Sequence, residues 1–194
     1  MQAVNYFIVE IDKAYENEVE LSTGKSLIVN STIESVEHIN RVATIVSAPC
    51  FTVLKTGDKV IVHHNIFRLR NDVKGNTAQS NFHIEGNTYF VPLTEVFMVK
   101  SVGDSDWKAM NPYCFVKPVL KKEELKLFSL SIQEGSYKGR EEGVGEMCYP
   151  NEDLTAQGVK MGDKVKFTAN SEYEFNIDGV LYYKMSTRDI TAVL

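Results

Sequence analysis

The sequence predicts an all-β chain built as two tandem small β-barrel domains. Three observations lead there. Short β-rich runs are broken by Gly, Asn, Asp or Pro every ~8–12 residues, as in sandwiches and barrels. Amphipathic-helix periodicity is poor throughout. The order of elements in the first half also recurs in the second.

The repeat is clearest at FHIEGNTYF (82–90) and FNIDGVLYY (175–183), where Phe82 matches Phe175, Ile84 matches Ile177 and Tyr89 matches Tyr182 at a spacing of 93 residues. Each copy reads as strand, Gly-containing tight turn, strand. Upstream, TGDKVIV (56–62) matches MGDKVKF (161–167). Gly-Asp makes the turn there, and alternating valines enter a half-buried strand. Downstream, PLTEVFMV (92–99) matches MSTRDITAVL (185–194), and near the start of each half YFIVEID (6–12) echoes YCFVKPV (113–119). The small, polar segment SVGDSDWKAMNP (101–112) is the expected joint, giving domains at 1–104 and 105–194. VEHIN (36–40) and KKEELKLF (121–128) are the two places where a turn or two of helix fits.

A net charge of −5, with both signs mixed along the chain, argues against a nucleic-acid or anionic-membrane surface. No apolar run approaches the ~18 residues of a membrane span. The N-terminus lacks a signal-peptide pattern. Cys50, Cys114 and Cys148 form no CxxC pair and read as free, buried thiols in a reducing compartment, hence a cytoplasmic protein.

Candidate chemistry is sparse. Gly24-Lys25-Ser26 fails as a phosphate-binding loop because Val19 stands where that motif needs Gly. His63-His64, read as neighbours on a strand, would point to opposite faces and so not share a metal; His38 and His83 add no ligand pattern. Asp58 and Asp163 read as turn-formers, and Tyr89, Phe90, Tyr182 and Tyr183 as barrel core and subunit packing. No catalytic grouping, cofactor site or metal site is expected.

The ordered set of elements resembles the GroES-like co-chaperonin family over nearly the whole chain, twice, so the expected fold is two tandem GroES-like β-barrel domains. The fullest resemblance is GDKVKFTANSEYEFNIDGVLYYKMSTRDITAVL (162–194): GD turn, strand, hairpin, polar turn, Asp-Ile and terminal strand. The resemblance implies a co-chaperonin that caps an ATP-driven, GroEL-like chaperonin ring in a nucleotide-dependent way, as a homo-oligomeric ring that assists protein folding. It further implies that the long polar segment after the first strand is a mobile docking loop. Leu27, Ile28 and Val29 fall at the position of its aliphatic tripeptide; Leu127, Phe128 and Leu130, in LKLFSLSI (125–132), take that place in the second half. The tandem form is similar to the double co-chaperonins of chloroplasts, but without a transit-peptide pattern a bacterial or bacteriophage version fits better. Two departures stand out. SAPCFTVLKTGD (47–58) leaves little room for the hairpin that roofs bacterial members, and RLRNDVKGNTAQSN (68–81) is a polar insertion with no counterpart in the second half.

Burying Leu, Ile and Val together is worth about 5–9 kcal/mol. Ordering each loop residue costs about 1–2 kcal/mol. With five or six residues ordered, the two nearly cancel, so one loop binds weakly and a ring of loops binds through avidity. The alternative is a non-enzymatic structural or assembly protein, including one of a phage, that keeps the barrels and uses the loops as ordered assembly contacts; read locally, VELSTGKSLIV (19–29) is also an ordinary hairpin facing its own core.

Overall fold

The computed structural model describes residues 1–15, 18–20, 26–28, 39–71, 73–120, 139–177 and 179–194. It divides into two compact units, Met1–Trp107 and Lys108–Leu194. The first contains β1 (Phe7–Glu10), β2 (Glu18–Glu20), β3 (Ser26–Ile28), β4 (Val42–Ser47), β5 (Lys59–Val62), β6 (Arg70–Asn71), β7 (Thr77–Ala78), β8 (His83–Glu85), β9 (Thr88–Val91) and β10 (Val96–Lys100). The second contains β11 (Lys108–Ala109), β12 (Tyr113–Leu120), β13 (Arg140–Tyr149), α1 (Glu152–Ala156), β14 (Lys164–Phe167), β15 (Tyr173–Ile177), β16 (Val180–Ser186) and β17 (Ile190–Val193).

Within the first unit six antiparallel strands run β8-β9-β1-β4-β5-β10; the second runs β15-β16-β12-β13-β14-β17. Taken strand for strand, the two orders are identical. Irregularities coincide as well. The β1–β4 register slips between Ile8 and Val9, and the β12–β13 register slips between Phe115 and Val116. The chain is all-β in two small barrel-type units, with one short helix among the described residues.

The GD turns repeat atom for atom. The Lys55 N–H donates to the Asp58 carboxylate at 2.8 Å, and the Lys160 N–H to the Asp163 carboxylate at 2.7 Å. Gly57 and Gly162, at φ +95° and +89°, donate to the carbonyls of Ile45 and Met147. An L side chain disfavours that backbone, so glycine is the residue that fits. The two carboxylates are turn-formers.

The hairpin repeat needs one correction. Val9 pairs with Tyr89 and Val116 with Tyr183, so Tyr183, not Tyr182, is the counterpart of Tyr89. Both are buried, whereas Tyr182 is half-buried beside Tyr149. The cause is the length of the hairpin: Tyr89 pairs with His83, six residues back, but Tyr183 pairs with Glu174, nine residues back, so one fixed spacing cannot align both copies.

The second core gathers Cys114, Val116, Met147, Leu154, Val159, Val165, Phe167, Tyr183 and Met185. Leu154 arrives there on α1, an element that β-run periodicity did not reveal. Its signals are nevertheless in the sequence: Asn151 accepts from the Leu154 N–H at 2.9 Å, Glu152 and Asp153 fill the first turn, and Gly158 follows at φ +91°. The thiols also differ from expectation. All three are free, but only Cys114 is buried; Cys148 is half-buried and Cys50 exposed. The expected helical turns at 36–40 and 121–128 fall mostly outside the described residues; Ile39 forms a β-bridge with Tyr15.

Candidate functional site

The candidate docking segments lie between the first and second barrel strands of each unit: between β1 and β4, and between β12 and β13. Both are closed at the base by strand pairing. In the first unit Tyr15 bridges Ile39, and the Asn40 N–H donates to the Ala14 carbonyl at 3.1 Å. The Tyr15 hydroxyl also accepts from the Leu69 N–H at 2.7 Å, tying the base to the barrel. In the second unit Leu120 pairs with Arg140. Arg140 is held in turn by Glu174 at 2.8 Å and by the Tyr183 hydroxyl at 3.0 Å. Each long segment thus leaves and rejoins its barrel at adjacent points.

Leu27 and Ile28 lie on β3, which pairs antiparallel with β2 in the register Val19↔Leu27 and Glu18↔Ile28. This two-stranded ladder is separate from the six-strand order of the barrel. Val29, Leu127, Phe128 and Leu130 lie outside the described residues.

Residues 129–194 match the family described as Chaperonin 10 Kd subunit. That stretch carries β13 to β17 and α1, and it includes Leu130 while Leu127 and Phe128 precede it. No curated protein matches the chain. The first unit shares its strand order and GD turn with the unit that contains this stretch.

One arrangement was not legible in the sequence. His63 and His64 are not on a strand, because β5 ends at Val62; His63 caps a 3-10 turn over His64–Ile66. Their rings stack, with centroids 4.3 Å apart, so the opposite-face expectation fails. The His63 Nδ1 accepts from the Asn65 N–H at 3.1 Å, and its ring meets Phe97 edge-on. Burial, then the charges of His63, Arg41 and Arg68, hold the His64 pKa down at about 4, so its imidazole is neutral at neutral pH. Burial likewise pushes the Cys114 thiol up to about 12, leaving it unreactive as a nucleophile. No helix of the described residues is long and apolar enough to cross a membrane.

Proposed function

We propose that this chain is a non-enzymatic, tandem co-chaperonin that docks on a GroEL-like chaperonin ring in a nucleotide-dependent way. The observation that carries the reading is the match of residues 129–194 to the Chaperonin 10 Kd subunit family. The shared strand order of the two units and the paired base under each long segment support extending it to the whole chain. Leu27, Ile28 and Val29 are the docking residues of the first unit, and Leu127, Phe128 and Leu130 those of the second. The chain works as a homo-oligomeric ring in a bacterial cytoplasm, including that of a phage-infected host, because single docking contacts this weak need avidity.

The test is co-migration of the purified protein with a bacterial chaperonin on a sizing column, with and without ATP or ADP. Nucleotide-dependent co-migration that is lost when Leu27, Ile28 and Val29 all become Ser supports the reading. Absence of co-migration under every nucleotide condition sinks it. The pairing of β2 with β3 favours a second reading, in which the hairpin is an ordered assembly contact of a structural protein. Protease resistance of residues 16–34 in the free protein, without chaperonin binding, is the result that second reading requires.

A further inference from the structure

The insertion at 68–81 builds something that the second unit lacks. Between β5 and β8 the first unit places a 3-10 turn and the β6–β7 ladder, with Arg70 opposite Ala78; between β14 and β15 the second has only residues 168–172. The return leg is fixed by Ser80, which is 7% exposed, donates to the Ile66 carbonyl at 2.6 Å and accepts from the Phe82 N–H at 3.2 Å. The outgoing leg is fixed by the bond from the Leu69 N–H to Tyr15. Between the legs lies a cleft of about 440 Å³, walled by Asn65, Arg68, Leu69, Arg70, Asn81 and Phe82, with Ser80 also in its lining. That volume suits a small organic ligand.

Its chemistry is one-sided. Among the described residues the lining holds two arginines and no carboxylate. The Arg70 guanidinium donates to the side-chain oxygen of Asn81, a neutral acceptor that positions the group without cancelling its charge. Next to the cleft, His64 is kept neutral by burial and by the positive field of His63, Arg41 and Arg68. Leu69 and Phe82 give an apolar wall, while Asn65 and Asn81 offer side-chain amides that both donate and accept.

We propose that this cleft binds a small organic oxyanion, a phosphate ester or carboxylate on an apolar body, with Arg68 and Arg70 on the oxyanion and Leu69 and Phe82 against the body. A guanidinium presents parallel N–H groups that match either oxyanion in a bidentate fork. The described lining lies at 65–82, outside both long segments, and its Leu69 N–H is bonded to Tyr15 at the base of the first.

Calorimetric titration of the full chain with phenyl phosphate and, separately, with benzoate at low ionic strength tests the site. Expected is saturable one-site binding of at least one probe, weakened at least about tenfold in the Arg68→Gln/Arg70→Gln variant, which removes both charge-assisted contacts. Lys74→Gln, a charge change outside the lining, leaves binding unchanged, and Arg68→Lys/Arg70→Lys keeps the charge and retains part of it. The tighter probe identifies the head group. Failure of both probes to saturate by about 10 mM, an affinity too weak for a built site, overturns the proposal. So does equal binding in the Arg→Gln variant, or equal weakening by Lys74→Gln.

Discussion

Ile61 in the first unit and Lys166 in the second occupy the same rung of the same strand pair, opposite Met98 and Ala192. Around Ile61 the first unit buries both faces of the pair. Val60, Ile61 and Val62 are at most 1% exposed, and Phe97, Met98 and Val99 at most 6%. The second unit buries one face only: Val165 and Phe167 point inward, whereas Lys164, Lys166, Thr191, Ala192 and Val193 are exposed. One strand order therefore serves two different surroundings. The ladder and the GD turn define the barrel, and the outward rungs decide whether its last strand pair meets protein or water.

Exchanging the residues at that rung gives the largest effect. Ile61→Lys puts an ammonium where a 1%-exposed side chain stood, and it should cost about 3–5 kcal/mol. Lys166→Ile should stay within about 0.5 kcal/mol, because the rung already faces water. Urea denaturation followed by Trp107 fluorescence, the one tryptophan lying in the first unit, measures the first variant; circular dichroism covers the second. Comparable losses in the two variants would show that the asymmetry of burial carries no energy.

A sharper contrast sits one strand inward. Ala43 pairs with Val60 and Gly145 with Val165, so they are counterparts. A β-carbon at Gly145 would stand 2.3 Å from the Val116 Cγ1 and 2.8 Å from the Lys117 carbonyl oxygen. The second contact is with backbone, which has little freedom to move. Gly145→Ala should therefore destabilise by about 2–4 kcal/mol, as overpacking does. The reciprocal Ala43→Gly loses only a buried methyl and gains chain entropy, costing about 1–2 kcal/mol. A Gly145→Ala protein melting at the wild-type temperature would refute the close approach of β12 to β13.

The GD turns yield a smaller difference. The Asp58 carboxylate accepts from Lys55 and, at 3.1 Å, from the Val102 N–H, and it is 4% exposed. Asp163 serves the Lys160 N–H and is half-buried. Asp58→Ala leaves two sheltered donors without that acceptor and should cost about 2–3 kcal/mol, against about 1 kcal/mol for Asp163→Ala. Equal melting temperatures for the two alanine variants would remove this distinction.

The barrel was legible where local chemistry and fold coincide. Val165 and Phe167 alternate with Lys164 and Lys166 because one face is buried, and glycine precedes each turn aspartate because the backbone there is left-handed. Whether an outward rung is covered depends on distant residues, so Ile61 and Lys166 could be placed on a strand but not assigned a cover. The hairpin misled by one residue because the second copy is the longer, a difference that the shared turn glycine hides. α1 was missed because five residues give too short a period to see, although its cap and acidic first turn were present. Of the proposed docking residues, position alone was readable. The sequence placed Leu27 and Ile28 between the first two barrel strands, whereas their pairing with Glu18 and Val19 depends on a register that short polar runs specify weakly. The cleft at 65–82 escaped notice because its walls come from three separate stretches.

The last contrast concerns pH. His64 follows β5 by two residues, and the same place after β14 is Ala169, which does not titrate. A folded-state pKa of about 4, against an ordinary value of 6.5, means that the unfolded chain takes up a proton more readily than the fold. Stability from this group is therefore complete above pH 6.5, falls as the pH drops through the window from 6.5 to 4, and levels off below it. The groups acting on the ring are His63, Arg41 and Arg68, all of which oppose protonation, with burial the larger cause. Comparing wild type with His64→Gln between about pH 5 and 7 isolates the contribution. The wild type should lose about 1–2 kcal/mol more than the variant over that interval, read on Trp107. Parallel pH profiles would place the acid sensitivity of the first unit elsewhere and remove the buried imidazole as its cause.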